Sequence, residues 1–587
     1  MPGRERLSRQ MSVTFWVDGR AVSLDDDSGS LLDALREMLG VRAPKDGCSP
    51  QGQCGCCTVW VDGAPRVSCV TPVRRVNGRQ VTTTEGMPGE LADRWAEAFV
   101  AAGASQCGFC TPGIVLRLAA LETRAGAAGR LDEAAIRSAL SAHLCRCTGW
   151  QSIVEAASAV LGVAVGPSGD ATGAEIGAET GAETGAEIGA DRAAASATVR
   201  AAKPAAMDAS ARDPLLASWR AQFEGPAFQI STRETVLGHA GFADDSAPRD
   251  ALVAVPRADG SLAVGADLSA ARRAAGKVQG RNSPVPLRHP LVVPEGDWEL
   301  VLRTTWVEPA YLEPDASWCA PGGQPVSPLA NGGAFGGKRR SSVGEAARRL
   351  ADEQGTAARV LWARDDVVRH GPKRPPVALA LAAEGSGVLR VARTPGSPEL
   401  DGYAAAVAAV APGLEVEVAD VPGPPVSADL RGAGWAEALV ATTVLALRAQ
   451  HEAQPGSPVE LSAPRGGRAR VSVPPEGPVR VEVWAGEVLD EVVLRSYCLG
   501  AVHQALGWVR SEGIAVDEVG EIQDFTIRSY GVLRARDTPW VEVSVHRDDL
   551  WPVNGSDAVF AATAAAAWLT EGLVASWPTR RGDGSRR

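Results

Sequence analysis

Cysteines are concentrated near the start of the chain. Nine of the 11 lie within the first 147 residues, and their spacing divides them into two groups. The first group occurs in the string GCSPQGQCGCCTVWVDGAPRVSC, and the second combines Cys107-x-x-Cys110 with Cys145-x-Cys147. Each group can supply four thiolates. Two sets of four sulfur ligands predict two separate metal-sulfur centres.

The first group combines a glycine-rich loop with one cysteine further along the chain. Its members are Cys48, Cys54, Cys57 and Cys69. Three ligands from a loop and a fourth from a neighbouring strand are typical of a plant-type [2Fe-2S] cluster, in which loop amides also point at the cluster sulfides. Glycines permit that close backbone approach. The loop contains Gly47, Gly52 and Gly55.

Other uses of these thiols stay open at the level of sequence. Disulfides are disfavoured in a chain without an export signal, but C-x2-C combined with C-x-C also suits a tetrahedral zinc site. The first gap, C-x5-C, is one residue longer than the plant-type spacing, so we expect a local bulge. Cys56 could replace Cys54 as a ligand, although only Cys54 preserves C-x2-C with Cys57. We interpret the remaining thiols as small buried hydrophobic residues. They are Cys56, Cys319 and Cys498.

The elements that must position these thiols change character within the block. Apolar alternation interrupted by Asp-Gly turns predicts two β-hairpins, and a helical pattern between them places Leu31, Leu32, Leu35, Met38 and Leu39 on one face. The hairpins are predicted at 13–17 with 21–24 and at 58–61 with 67–70. From Leu91 onward the periodicity is helical, over 91–100, 114–121 and 131–144. The first thiol group therefore lies in a β-rich unit and the second in a small helical bundle.

Composition divides the rest of the chain. Between Gly166 and Arg212 the sequence is rich in Gly, Ala and Glu, and such a segment cannot bury a core. It predicts a disordered linker between two blocks. The net charge of -11 repels phosphate backbones and anionic lipids, so we expect no nucleic-acid or membrane partner. No apolar run of membrane-spanning length and no signal-peptide pattern occurs, which predicts a cytoplasmic protein.

Four strings in the first block are similar to the iron-sulfur domain of the xanthine dehydrogenase, aldehyde oxidase and carbon monoxide dehydrogenase family of molybdenum hydroxylases. They are CGCCTV at 54–59, SCVTPV at 68–73, QCGFCTPG at 106–113 and LCRCTGWQSI at 144–153. The resemblance implies that Cys48, Cys54, Cys57 and Cys69 hold an outer [2Fe-2S] cluster. It further implies that Cys107, Cys110, Cys145 and Cys147 hold an inner cluster, and that Gln106 contacts a pterin.

A second glycine-rich string, NGGAFGGK, occurs at 331–338. Glycines allow backbone amides to crowd an anionic ligand, although such a string is also common in ordinary turns. In the order of the family's molybdenum-binding subunit the chain also contains PAYLEPDA at 309–316 and LRGAGW at 430–435. The resemblance implies a molybdopterin site contacted by two loops. Its residues are Gly332, Gly333, Phe335, Gly336, Gly337, Arg431 and Gly432.

Several C-terminal residues permit two interpretations. Arg431 is either near the metal or a structural ion pair at a helix start. The family places a catalytic Glu near its C-terminal end, where this chain has Pro552-Val-Asn-Gly-Ser-Asp557. Asp557 is therefore either the general base, one methylene shorter than Glu, or the N-cap of the helix that follows. We expect Arg364–Asp366 and His370 to form a solvated face or an interdomain contact rather than a catalytic site.

The resemblance implies an α+β protein with four regions. They are a β-grasp ferredoxin domain at 11–87, a helical [2Fe-2S] domain at 88–165, the linker at 166–212 and a shortened, mixed α/β molybdopterin-binding region at 213–587. The implied enzyme hydroxylates an aldehyde or an N-heterocycle such as a purine and passes the electrons through both clusters. The expected acceptor is an FAD-binding partner subunit, because no dinucleotide fingerprint is evident in this chain. In the alternative, the C-terminal region is a non-catalytic remnant, and the chain transfers electrons for a separate, complete molybdenum subunit.

Overall fold

The computed structural model describes residues 12–25, 29–48, 50–128, 131–166, 212–225, 231–276, 286–327, 333–397, 400 and 402–580. The predicted linker falls almost entirely outside them. Within the described part, no helix is long and apolar enough to cross a membrane.

The first unit is a five-stranded sheet with a short helix packed on it. Two hairpins with Asp-Gly turns are joined by β5, which pairs parallel to β1 and antiparallel to β3, in the order β2-β1-β5-β3-β4. The elements are β1 Val13–Val17, β2 Arg20–Leu24, α1 Leu31–Asp33 with a π-turn Ala34–Met38, β3 Thr58–Val61, β4 Ala64–Val67 and β5 Gln80–Thr82. This is the predicted β-grasp arrangement.

Two sequence predictions in this unit need correction. Strand β4 begins directly after the Asp62-Gly63 turn and ends at Val67, so Cys69 lies in the 3-10 turn Ser68–Val70 and not in a strand. The π-turn rotates the end of the predicted helix, and Met38 is 45% exposed instead of buried. The hairpin positions themselves agree with the Asp-Gly signals because the two-residue turn determines the strand register.

The second unit consists of four helices. They are α2 Gly89–Ala101, α3 Thr111–Ala128, α4 Glu133–Ala139 with a 3-10 turn Leu140–Ala142, and α5 Gln151–Leu161. Its core is built on large side chains with no exposure, among them Trp95, Phe99 and Trp150. Full burial of such aromatic side chains contributes roughly 2–3 kcal/mol each.

The C-terminal block begins with three helices and a four-stranded sheet in the order β7-β6-β10-β9. Its first elements are α6 Pro214–Glu224, α7 Arg233–Leu237, α8 Ala243–Ser246, β6 Leu252–Pro256, β7 Leu262–Gly265, α9 Leu268–Ala275, β8 Leu300–Arg303, β9 Asp315–Cys319, α10 Val343–Gln354, β10 Ala358–Trp362 and α11 Arg364–His370. Helices α9 and α10 cover this sheet and complete two small cores.

Two further sheets surround a central helical layer. Their orders are β13-β12-β11-β8 and β14-β15-β16-β17. The elements are β11 Val377–Leu381, β12 Gly387–Arg393, α12 Tyr403–Ala408, β13 Leu414–Asp420, α13 Trp435–Ala449, β14 Val459–Ser462, β15 Arg468–Ser472, β16 Val479–Trp484, α14 Glu491–Arg510, β17 Val541–His546 and α15 Ser556–Thr570. Helices α14 and α15 are buried along most of their length in the largest core. The whole fold is α+β, as predicted.

Buried ion pairs join the iron-sulfur block to the C-terminal block. Arg36 of the β-rich unit lies 2.7 Å from Asp244, and Arg146 of the helical unit binds both carboxylate oxygens of Glu512 at 2.5 and 2.7 Å. All four side chains are less than 9% exposed. Because a charge that lost its partner here would be stranded in the interior, these pairs set one orientation of the two blocks.

Candidate functional site: two thiol tetrads beside a glycine-bounded cavity

The four cysteines of the first group converge around the loop that precedes β3. Cys48 is within hydrogen-bonding reach of Cys54 and of Cys69, and Cys69 is within reach of Cys57. The backbone N–H of Cys69 points at the sulfur of Cys57, at 3.4 Å. The Cys54 thiol holds the pKa of Cys48 well below its usual value. The hydrogen bonds to Cys48 raise the pKa of Cys54 and of Cys69, because these contacts stabilise a thiolate on Cys48 alone.

The second group forms two pairs. The sulfurs of Cys107 and Cys147 are 3.6 Å apart, and Cys110 hydrogen-bonds Cys145 and so lowers the pKa of Cys145 to about 6. A binuclear [2Fe-2S] cluster takes two thiolates on each iron, and the two thiol pairs match that arrangement.

The two tetrads are packed against each other. The N–H of Leu144, beside the inner ligands, donates to the carbonyl of Cys54 at 3.0 Å. A Cβ on Gly113, at the start of α3, would lie 2.4 Å from the carbonyl oxygen of Gly55. Only a residue without a side chain permits this approach, which brings the outer loop onto the inner tetrad. The backbone of Cys56 lies in this contact, and the thiols of Cys56, Cys319 and Cys498 are buried as expected.

A cavity of about 260 Å³ lies on the other side of the inner tetrad. Most of the residues predicted for a cofactor line it, although they come from separate segments of the chain. These residues are Gln106, Gly333, Phe335, Gly336, Arg431, Gly432 and Asp557. Gly332 is outside the described residues, and Gly337 does not line the cavity, because it faces Tyr311 and Pro309.

The cavity wall is a close contact between two loops. Gly336 has φ +94°, and a Cβ there would lie 1.9 Å from the carbonyl oxygen of Asp429. The N–H of Arg431 donates to the carbonyl of Phe335 at 3.0 Å. Glycine is required at position 336 because both its φ and the neighbouring backbone exclude a side chain.

Two residues connect this cavity to the inner tetrad. The side-chain amide of Gln106 donates to the carbonyl of Cys147 and to the hydroxyl of Ser496, both at 3.0 Å. A Cβ on Gly333 would lie 3.2 Å from the sulfur of Cys147. The wall between the cavity and the inner thiols is therefore only one residue thick.

Arg431 and Asp557 form an ion pair at the cavity wall. Arg431 Nε lies 2.9 Å from Asp557 Oδ1, and its other nitrogens donate to Ser556 and to Gln504. Helix α15 begins at Ser556 with Gly555 as N-cap, and Asn554 accepts the N–H of Asp557. Asp557 is thus not the N-cap. Arg431 thus forms an ion pair and also lines the cavity, and the side chains of Arg431 and Asp557 are only 11–13% exposed.

A carboxylate that the sequence analysis missed holds the start of this helix. Glu224, the last residue of α6, accepts the N–H groups of Gly555 and Ser556 at 3.0 and 2.8 Å and pairs with Arg220 at 2.6 Å. The Glu224 and Arg220 side chains have no exposure. The i,i+4 spacing of Arg220 and Glu224 was a usable signal for the pair, but the contact with residue 555 is visible only in three dimensions.

Three arginines and three carboxylates line the cavity, and two of the arginines are paired with carboxylates of the lining. Arg339 and Arg465 line it in addition to Arg431, and within the described chain Arg465 has no ion-pair partner within 4 Å. An exposed guanidinium is the group that best recognises a phosphate. A concave site with such a rim and with glycine backbone at its wall fits an anionic pterin cofactor.

The segment 364–366 differs from its prediction as a solvated face. Arg364, Asp365 and Asp366 are all less than 9% exposed. Arg364 binds Glu308 in a buried ion pair that also includes Lys373. Charged residues in the sequence suggested a surface, but mutual pairing allows their burial.

Comparisons with known proteins agree with this geometry. A family model described as a [2Fe-2S] binding domain matches residues 83–158. The chain is 34% identical over 148 residues to the xanthine dehydrogenase iron-sulfur-binding subunit of Escherichia coli O157:H7, covering 25% of this chain and 92% of that subunit. It is 38% identical over 159 residues to the xanthine dehydrogenase of Blastobotrys adeninivorans, covering 25% of this chain and 11% of that enzyme.

Similarity to solved structures extends over the whole fold. The aldehyde oxidoreductase of Desulfovibrio desulfuricans superposes with a TM-score of 0.64 at 14% identity, over 97% of this chain and 99% of that one. In sequence, the aldehyde oxidoreductase of Megalodesulfovibrio gigas is 39% identical to this chain over 145 residues, which cover 24% of this chain and 16% of that enzyme.

The chain belongs to the xanthine dehydrogenase and aldehyde oxidoreductase family of molybdenum hydroxylases. It spans 11% and 16% of the length of the two complete enzymes compared above. The sequence identity is confined to about the first quarter of the chain, and for the rest the superposition establishes the fold.

Proposed function

We propose that the chain is a molybdenum hydroxylase-type oxidoreductase that passes electrons from a molybdopterin centre through two [2Fe-2S] clusters. In this proposal, Cys48, Cys54, Cys57 and Cys69 hold the outer cluster. The inner cluster is held by Cys107, Cys110, Cys145 and Cys147. The division into domains at 11–87, 88–165, 166–212 and 213–587 is part of the same proposal.

One observation carries the proposal. The cavity and the inner tetrad share a wall made by Gln106 and Gly333, with Gly333 packed close to the Cys147 sulfur. A cofactor in the cavity could therefore pass electrons to the inner cluster over a short distance. Because the inner tetrad packs on the outer loop, electrons could pass on from the inner to the outer cluster.

A bound molybdenum-pterin would supply a redox centre that adds oxygen from water to an electron-poor carbon. Residues of this chain would bind and orient the cofactor. The Gln106 amide would bind the pterin edge, and glycines at 333 and 336 would leave space for it. Arg465 would bind the phosphate at the opening.

Asp557 would act as the base that takes a proton at the carboxylate oxygen facing the cavity. Arg431 holds the other oxygen, Oδ1, and so orients the carboxylate. The base must reach within about 3 Å of the proton that it removes. Orientation by Arg431 matters more for Asp than it would for Glu, because the Asp side chain is one methylene shorter and has one rotatable bond fewer.

For the substrate we propose an aldehyde or an N-heterocycle such as a purine, and for the electron acceptor an FAD-binding subunit. Relatives of the first quarter of the chain are named as separate small subunits, for example the nicotinate dehydrogenase small FeS subunit of Eubacterium barkeri. That pattern supports a multi-subunit assembly. We also propose a cytoplasmic location, where thiols stay reduced and available to iron.

A second candidate function is electron transfer for a separate, complete molybdenum subunit. The Arg431–Asp557 ion pair favours it, because this contact already occupies one oxygen of the carboxylate. In this case Asp557 would only fix the loop of Arg431 against the start of α15, and the two clusters would be the working part of the chain.

The deciding experiment is metal analysis of the chain purified without oxygen, alone and with its co-purifying subunits, together with turnover of benzaldehyde and hypoxanthine. Molybdenum on this chain and turnover that disappears in Asp557→Asn but persists in the exposed control Asp549→Asn would support the hydroxylase. Molybdenum found only on a companion subunit would decide for electron transfer.

A further inference from the structure

A second cavity, of about 290 Å³, lies between helices α2, α6 and α14. Apolar atoms form most of its surface, and among its described lining residues, which also include polar ones, five have small apolar side chains. They are Ala96, Val100, Ala217, Ala221 and Val493. A cavity of about 150 Å³ with such walls binds benzene in another protein, so this one has room for a molecule with two fused rings.

The arginines at its rim are already paired. Arg212 binds both carboxylate oxygens of Asp490 and donates to the carbonyl of Val100. Arg233 pairs with Asp93 at 2.5 Å, and both are about half exposed, so this pair marks the surface opening. Because these guanidinium groups are neutralised and the remaining charged side chain, Glu97, is exposed to solvent, the interior of the cavity favours an uncharged ligand.

The position of the cavity relates it to electron transfer. Gln106 and Tyr497 line both cavities, and Gln106 is the residue directly before Cys107. Its amide also holds the carbonyl of Cys147. A ligand here would contact Gln106, which directly precedes Cys107 in the chain and hydrogen-bonds the backbone of Cys147.

We propose that the second cavity binds an uncharged bicyclic quinone of the naphthoquinone class as an electron acceptor for the inner cluster. The site rests on the proposed iron-sulfur function and adds an exit for electrons that needs no partner subunit. It differs from the first cavity in that its wall is mainly apolar and its two arginines are both neutralised by carboxylates.

The reaction balances with the two clusters alone. Each reduced [2Fe-2S] cluster gives up one electron and becomes oxidised. The quinone takes up both electrons and two protons from water at the rim. Its two C=O bonds become C–OH bonds, and the hydroquinone leaves through the opening beside Asp93 and Arg233.

The test follows the visible absorbance of the full-length protein after stoichiometric reduction with dithionite under argon. Menadione, an uncharged naphthoquinone, should reoxidise the clusters rapidly. Ala217→Trp and Val100→Trp fill the cavity from opposite walls and should each slow this reaction at least tenfold. Gln222→Trp, on the exposed side of α6, should leave the rate unchanged.

Ferricyanide provides the matched oxidant, because a trianion cannot enter an apolar cavity and must react at the surface. Its rate should be equal in all four proteins. In the unmodified protein, 2-methylnaphthalene should inhibit menadione competitively and leave ferricyanide unaffected, which tests the site even if a tryptophan variant does not fold.

Equal menadione rates in the filled and control variants, or no competition by 2-methylnaphthalene, would overturn the proposal. A protein that purifies without iron would overturn the proposed function and this electron exit together. Calorimetric titration of that protein with 2-methylnaphthalene would still show whether the cavity binds a bicyclic aromatic.

Discussion

The thiol tetrads and the glycine-bounded cavity are built in different ways. Three of the four outer thiols lie within ten residues of one another, and the inner set consists of two short motifs. The cavity instead takes its wall from segments near residues 106, 224, 335, 431 and 557. Local spacing thus specifies the two thiol groups, whereas the cavity depends on contacts between distant parts of the chain.

This difference predicts which substitutions should affect one site alone and which should also affect neighbouring segments. A cysteine change removes one centre. A substitution at the cavity wall should also disturb the neighbouring loops and helix ends, because these segments are buried and share hydrogen-bond partners. Substitutions at Cys110, Glu224, Gly336 and Glu313 test that contrast.

Cys110→Ser should abolish one cluster completely and spare the other. Iron should fall from about four to about two atoms per chain, since each [2Fe-2S] centre has four thiolate ligands of which Cys110 is one. Electron paramagnetic resonance of the reduced protein should retain a single signal. Cys319→Ser, at a buried cysteine outside both tetrads, is the control that should keep both signals, and loss of neither signal in Cys110→Ser would refute the ligand assignment.

Glu224→Ala should destabilise the fold by about 3–5 kcal/mol, because it leaves Arg220 as an unpaired buried charge and two helix N–H groups without an acceptor. The urea midpoint and the melting temperature measure this effect. The exposed substitution Glu415→Ala should change neither. A Glu224 variant as stable as that control would mean that the helix start does not depend on α6.

Gly336→Ala should cost about 1–2 kcal/mol from its positive φ and more from the overlap with the Asp429 carbonyl. Gly322→Ala is a matched control, because its φ is +67° but nothing lies within 4 Å of the new Cβ. The difference between the two unfolding free energies isolates the loop contact. Equal losses would show that the two loops do not need to touch.

Glu313 should make stability depend on pH. Burial raises its pKa from 4.5 to about 7 despite Lys338, 2.9 Å away. Because the folded state then binds this proton more tightly than the unfolded state, stability is greatest below pH 4.5 and falls as pH rises to about 7. Glu313→Gln should flatten the urea midpoint between about pH 5 and 8, while the exposed Glu476→Gln should keep the slope of the parent. An unchanged slope in Glu313→Gln would assign the pH dependence to other groups.

Some of this protein was predictable from short-range patterns. The Asp-Gly turns located both hairpins, and the thiol spacing located two groups of cysteines that the fold does bring together. Such features depend on turn geometry and ligand spacing, which act over a few residues. The burial of Arg364–Asp366 was missed, because sequence shows the charges but not the partners at Glu308 and Lys373.

The amino-acid sequence was enough to predict the α+β class and to locate two groups of four cysteines and two glycine-containing loops. Only the tertiary structure decided that Arg431 pairs with Asp557, that Glu224 holds the start of α15, that Gly337 turns away and that a second, apolar cavity adjoins the inner tetrad. The reason is physical: ligand spacing and turn chemistry are local, but burial and charge pairing depend on which distant segments the core brings into contact.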